Sequence, residues 1–251
     1  MLLSAQRCEK GDQRGNLAEH RRMLVEARDA GCALAVFPEM SLTGSVDPAR
    51  NDEQLVRLDG PAVNACAALT AEIGVAAVFG IAERGDDGAS YITQVFAQRG
   101  HVEGVQRKRH LGEGEEAFTE ADQDVVFDIE GTPFAIAICA ESATDRPFAH
   151  ASAAGASFVC FSAAPGLYGR CTTEAEWRAG WDWWFSAGLA DVQRHARERG
   201  LWIAIATQAG STVDEDFPGL AALVDPRGEV VAQLPDWHAG TLVVSMPTPQ
   251  A

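Results

Sequence analysis

NLAEHRRMLVEARDAGCALAVFPEMSLTG, residues 16–44, passes from one periodicity to another and then stops on an acid. Leu17, Leu24 and Ala27 share one face at helical spacing. Asn16 and Glu19 have the spacing of a capping box and Gly31 supplies a stop, so this part reads as a helix. CALAVF, residues 32–37, follows as a strand, with Pro38 and Glu39 at its end. Burying a carboxylate costs several kcal/mol unless it is paired or neutralised. The strand therefore either ends in solvent or delivers an acid to a pocket.

The same alternation recurs outward from this stretch. GPAVNACAALTAEIG (60–74) carries Pro61 at a helix start and Gly74 at its end, and VAAVFG (75–80) is the next strand. Hairpins come next, with turns at Arg99-Gly100 and Glu130-Gly131. RPFAHASAAGA and SFVCFSAA restore helix then strand, and a long amphipathic helix is expected within residues 174–200. The tryptophans of that segment, Trp177 to Trp184, read as packing residues, with a share in subunit contacts as the other use. LWIAIATQ, GLAALVDPRGEVVAQL and GTLVVSM close the chain as strands, with a hairpin turn at Asp225–Gly228. Hairpins inserted between βα units imply a layered α/β sandwich, in one domain over 1–251, rather than a purely parallel sheet.

Composition removes several function classes. The 251 residues are 47% hydrophobic, enough for a full core, and the formal net charge is −16. Nucleic acid and anionic membranes select basic patches, whereas the richest basic run here is the short QRKRH at 106–110. No apolar run approaches membrane-spanning length and the polar start is unlike a signal peptide. The six cysteines lack paired spacing and several lie in apolar runs. They read as reduced residues of a cytoplasmic protein, not as disulfides or a metal site.

Three strand ends carry reactive groups: Glu39 after AVFP, Lys108 after HVEGVQR, and Cys139 after the apolar run FAIAI. Each alone has a bland reading, as a loop acid, a solvated terminus and a core thiol. Together, at strand ends that converge on one crevice, they make an acyl-transfer set. A thiol of pKa about 8.5 is mostly protonated at neutral pH and needs a base as it attacks. A desolvated carboxylate gains the required basicity. A fixed ammonium and a backbone N–H beside the nucleophile can hold the resulting oxyanion.

The motifs SAQRCEKGDQRGNLAEH, AVFPEMSLTG, QRKRHLGEGEEAFTEAD and FAIAICAES, in that order, resemble the landmarks of the nitrilase, or carbon–nitrogen hydrolase, superfamily. GASFVCFSAAP and GLAALVDPRGEVVAQL fit its later segments. The resemblance implies an αββα sandwich with Glu39 as general base, Lys108 as oxyanion stabiliser, Cys139 as nucleophile and the Ala140 N–H as a second oxyanion donor. It implies a second glutamate beside the lysine, for which Glu113, Glu115 and Glu116 are available and Glu115 is chosen. His110 fits a structural hydrogen-bonding role. Neither metal nor cofactor is implied, and the expected assembly is a homodimer or higher homo-oligomer acting on a small-molecule amide.

Several positions depart from the family pattern. CAESATDRP lacks the aromatic residue and Asp after the cysteine, and it lacks the arginines that clamp the carboxylate of N-carbamoyl amino acids unless Arg146 substitutes. FTEAD replaces FTPGD and FPGLAAL lacks an expected GxS. An N-carbamoyl-compound hydrolase or a nitrilase of the same family therefore stands beside the amidase reading. Two further alternatives are a Cys–His hydrolase using His150 or His195, and a non-catalytic ligand-binding member of the fold.

Overall fold

The structure, a computed structural model, describes residues 1–235 and 239–246. The rest of the expected 1–251 span, residues 236–238 and 247–251, lies outside the described residues. In chain order the elements are β1 (Leu2–Gln6), α1 (Gln13–Asp29), β2 (Leu34–Val36), α2 (Pro61–Ile73), β3 (Ala76–Arg84), β4 (Ser90–Gln98) and β5 (His101–Arg107). There follow β6 (Val126–Ile129), β7 (Thr132–Ile138), α3 (Arg146–Ala153), β8 (Phe158–Ala163), α4 (Glu174–Trp184) and α5 (Ala190–Arg199). The chain closes with β9 (Trp202–Ser211), β10 (Asp216–Pro218), β11 (Ala221–Val224), β12 (Val230–Gln233) and β13 (Gly240–Val243).

The strands run β5-β4-β3-β2-β1-β9-β8-β7-β6, but β1 has three neighbours, β2, β9 and β13. A strand has only two edges, so the sheet forks there. β1 and β9 touch only at Ala5–Thr207 and Gln6–Gln208, while β13 pairs along Leu2 to Ala5. The fork separates two lobes that face each other.

Side-chain alternation proves the layering. Leu3, Val36, Val78 and Phe96 of one lobe meet Phe134, Ile136, Phe158 and Ala204 of the other in a single core. The alternate residues Leu2, Ala35, Phe79 and Val95 turn outward onto Leu24, Ala27, Val63 and Cys66 of α1 and α2. In the second lobe Ala135, Val159, Phe161 and Ile203 turn outward onto Phe148, Val192 and Ala196 of α3 and α5. The result is the expected α–β–β–α sandwich.

Local signals mostly hold. Gly74 caps α2 in a left-handed conformation, and the turns at Arg99-Gly100 and Glu130-Gly131 have positive φ throughout. Gly228 N–H donates to Asp225 O in the last hairpin. The long helix of residues 174–199 is interrupted by one π turn at Phe185–Leu189. The π turn coincides with close packing of the Trp184 ring over Gly188, where a Cβ would lie 2.2 Å from it.

Two local readings are corrected. α1 begins earlier than Asn16, at Gln13, and Asp12 is its cap, accepting from Gly15 N–H at 2.9 Å. Asn16 is instead buried and ties Glu9 and Leu42 to the helix. Gly80 does not end β3, which continues to Arg84. A Cβ at Gly80 would lie 2.2 Å from Met40 N and 2.7 Å from Pro38 O, so this glycine lets the turn after β2 rest on β3.

Candidate active site

β2 is parallel to both β1 and β3, and β7, β8 and β9 are mutually parallel. β4 reverses on β3 and β5 reverses again, so β5 runs with β2. The carboxyl ends of β2, β5, β7 and β8 thus deliver Glu39, Lys108, Cys139 and Ala164 to one end of the sandwich.

Each group is fixed by its own turn. Phe37 N–H donates to Val78 O, extending β2 by one residue, and Met40 takes a left-handed φ of 49°. Ser162 Oγ donates to Phe37 O and Gln208 Nε2 to Glu39 O, pinning the backbone on both sides of Pro38. The Glu39 side chain is 1% exposed; its Oε2 accepts from Ala164 N–H at 2.9 Å. Lys108 has no solvent exposure, and its backbone is held between Ile92 O and Ala121 N–H. Its ammonium lies 2.7 Å from Glu39 Oε1, and 2.6 and 2.8 Å from the two oxygens of Glu115.

Cys139 opens a short 3₁₀ turn, Cys139–Ala143, with φ at 45°. That conformation is costly for a side chain bearing a Cβ, by about 1–3 kcal/mol. It is the sharp strand-to-turn reversal that tips a side chain out of the sheet. The charges of Glu39, Lys108 and Glu115 act on the thiol, and the Ala164 N–H that binds Glu39 lies beside it. Cys139, Ala140, Glu115, Met40, Phe118 and Trp184 contribute to the wall of a cavity of about 780 Å³, the size of a small-ligand site. Glu39 and Lys108 sit behind the sulfur.

The electrostatics follow from this burial. The Glu39 carboxyl is pushed above its ordinary value by burial and by the Glu115 charge, against the opposing pull of Lys108. Burial and the Glu39 charge push the Cys139 thiol well up, so the resting state is a thiol. Burial pulls the Lys108 ammonium down, but the charges of Glu39 and Glu115 outweigh it and hold the group protonated. An acid of raised basicity and a permanent cation are therefore in contact, close enough to the protonated thiol for their charges to act on it.

Of the three acidic residues after the lysine, Glu115 is the one on Lys108. Its Oε2 also accepts from Gly112 N–H at 2.6 Å, which fixes the loop around it. Glu116 accepts from Gly114 N–H and is exposed, while Glu113 lies on the cavity wall. His110 is half exposed and lies 3.7 Å from Glu120. Arg146 is bound to Asp122 and Asp124 and is not part of the cavity wall, so the substitute carboxylate clamp is not formed.

Neither histidine of the Cys–His alternative stands on the cavity wall. His195 is fully buried behind the turn, with Nε2 2.8 Å from Ser142 O and its ring stacked on Phe148. His150 lies in the last turn of α3. Two features escaped the sequence reading. Trp184 lines the cavity as well as packing the helix, the half-exposed Trp183 joins it on the wall, and Arg109 forms a buried ion pair with Glu141. Among the described residues no group of three or more His, Cys, Asp or Glu side chains is placed to hold a metal ion.

A parallel-cored αββα sandwich with this cluster at its strand ends defines a class. The chain belongs to the carbon–nitrogen hydrolase family, whose profile matches residues 4–250, and with it to the hydrolases of that class. Comparison with curated protein sequences returns no match. Among solved structures, an amidase from Nesterenkonia sp. AN1 with acrylamide added at its active-site cysteine superposes with a TM-score of 0.82 at 23% identity, covering 98% of this chain and 92% of that one. A cysteine-to-serine mutant of the same amidase, described as from the nitrilase superfamily, gives 0.83 at 23% identity over 98% and 90%. The glutamine-dependent NAD+ synthetase from Acinetobacter baumannii gives 0.78 at 19% identity, over 99% of this chain and 48% of that chain. At these identities the superpositions speak for the fold. No helix among the described residues is long and apolar enough to cross a membrane.

Proposed function

We propose that the protein hydrolyses the carbon–nitrogen bond of small non-peptide amides through a thioester on Cys139. The observation that carries this reading is the buried hydrogen-bonded chain Glu39–Lys108–Glu115 close to Cys139, which stands on the cavity wall. Glu39 takes the thiol proton as sulfur attacks the carbonyl carbon. The tetrahedral oxyanion is held by the Lys108 ammonium and the Ala140 N–H. Glu39 then gives its proton to the departing nitrogen, which leaves as ammonia or an amine. A water molecule, deprotonated by Glu39, attacks the thioester. Collapse of the second tetrahedral intermediate releases the acid and returns the proton to sulfur. Glu115 keeps the lysine in place and charged.

The amidase neighbours carry acrylamide and an acetamide group on their active-site cysteine, and this recommends short aliphatic amides as first substrates. The missing arginines after Cys139 argue against N-carbamoyl amino acids, whose carboxylate needs a cation. Six free thiols suit a reducing cytoplasm. The exposed Trp183 and Phe185 on the helical face suit pairing of two copies.

The test is intact-protein mass spectrometry with a panel of short amides, N-carbamoyl compounds and nitriles. Wild-type protein is expected to show an acyl adduct and turnover with amides, and Cys139→Ala neither. Amide turnover by the Cys139→Ala variant would overturn the reading.

A further inference from the structure

We propose that Arg109 and Glu141 are positioning residues whose buried ion pair sets the placement of the Cys139 sulfur against Glu39 and Lys108. This rests on the triad reading above. Glu141 has no solvent exposure and receives four donors. Oε1 accepts from the Arg109 backbone N–H at 2.6 Å and from Arg109 Nε at 2.8 Å. Oε2 accepts from Arg109 Nη2 at 2.6 Å and from the Ile138 N–H at 2.8 Å. Arg109 also donates to Ile136 O at 2.8 Å and to Asp124 Oδ1 at 2.6 Å.

The sequence positions of these contacts give them their meaning. The peptide N–H of residue 109 follows Lys108 directly, and the N–H of residue 138 precedes Cys139 directly. One carboxylate therefore grips the chain on the neighbour of the ammonium and on the neighbour of the thiol. Its own backbone lies two residues past the sulfur, and its C=O closes the turn by accepting from Thr144 N–H and Oγ1. The fork of Arg109 fixes the carboxylate plane, as only a bidentate guanidinium does. β5 and β7 lie in opposite lobes, and Cys139 holds a strained φ. The pair is the link that holds this turn in register with the lysine strand. A buried ion pair adds little net stability over an apolar pair of similar volume, so stability alone does not account for it.

The test reads the pH profile of iodoacetamide alkylation at Cys139, followed on its own peptide by mass spectrometry, beside the thermal midpoint. Groups facing the sulfur are Glu39, Lys108, Glu115 and the Ala164 N–H, and they set that profile in the wild type. Variants are Glu141→Gln, Arg109→Lys and the apolar pair Arg109→Met/Glu141→Leu. Positioning predicts that folded variants shift the profile by about one pH unit toward that of an ordinary thiol. The apolar pair should show this shift even where its thermal midpoint matches the wild type. An unchanged profile in any folded variant overturns the proposal, and so does unfolding of all three, which would make the pair a stability element. Alkylation requires no turnover, so this failure is distinct from failure of the hydrolase reading, which would appear as absent acylation in the wild type.

Discussion

The Lys108 ammonium and the Glu39 carboxylate stand 2.7 Å apart with side-chain exposures of 0% and 1%. Removing the lysine's charge strands the Glu39 carboxylate, beside that of Glu115, in a medium that solvates it poorly. Lys108→Met is therefore expected to lower stability by about 3–5 kcal/mol and to abolish turnover. Glu39→Gln keeps the shape and leaves Glu115 on the lysine. It should fold with a small change in midpoint while turnover falls by about 10²–10⁴-fold, the usual share of a general base. Chemical denaturation beside amide turnover separates the two cases.

Activity and stability should move in opposite directions with pH because of Glu39. Its carboxyl is raised above the ordinary glutamate value of about 4.3, chiefly by burial. The folded state then binds a proton more tightly than the unfolded one. The contribution to stability is fully present below the unfolded pKa and is lost as pH rises through the folded pKa. The proposed mechanism needs the ionised form, so kcat/KM should rise across the same interval, with an acid limb above the ordinary glutamate range. Lys108, also raised, keeps its charge throughout and should add no limb near neutrality. A pH–rate profile whose acid limb lies at or below about 4.3 would contradict this.

Gly80 allows a third check. Its missing Cβ accommodates Met40 N and Pro38 O, both backbone atoms that cannot rotate aside. Gly80→Ala is expected to cost at least about 1–3 kcal/mol and to depress turnover by displacing the Glu39 turn. The neighbouring Gly74→Ala is a useful contrast, because nothing lies within 4 Å of its Cβ position and only its φ of 83° opposes the change. That variant should lose stability with turnover per folded molecule unchanged.

The three residues that meet here were legible in the sequence because each stands at a strand end, Glu39 and Cys139 after apolar runs and Lys108 after the mixed, half-exposed β5. What the sequence concealed has physical reasons. β1 is buried at every position, so its short stretch shows no alternation to mark it as a strand. Gly80 reads as a terminator because glycine punctuates strands more often than it cushions a crossing turn. Asn16 has the chemistry of a cap, yet its amide bonds to the chain at Glu9 and Leu42, and Asp12 caps instead. Arg109 and Glu141 are 32 residues apart, one in a basic run and one in a polar turn. Each alone looks solvated, and only the approach of the two lobes makes them a pair.

The acidic loop after the lysine supplies a final prediction. Glu113, Glu115 and Glu116 are chemically alike and nearly adjacent, so sequence cannot rank them on charge. Geometry separates them, because only Glu115 reaches the Lys108 ammonium, with both oxygens, while accepting from Gly112 N–H. Replacing it by Gln keeps an acceptor but removes the second negative charge beside the lysine. Glu39 remains to balance the ammonium, so Glu115→Gln should stay folded, with a loss on the order of 1 kcal/mol or somewhat more for a charge-assisted bond. Turnover should fall by tenfold or more, on the order of the 10–10³ range seen when a group orienting a catalytic residue is lost. Glu116→Gln should leave turnover within about twofold, since its carboxylate faces solvent and an exposed charge contributes little. Glu113 lies on the cavity wall, so Glu113→Gln should alter KM more than kcat. A larger kcat loss in Glu116→Gln than in Glu115→Gln would show that the lysine is held by a different acid in solution.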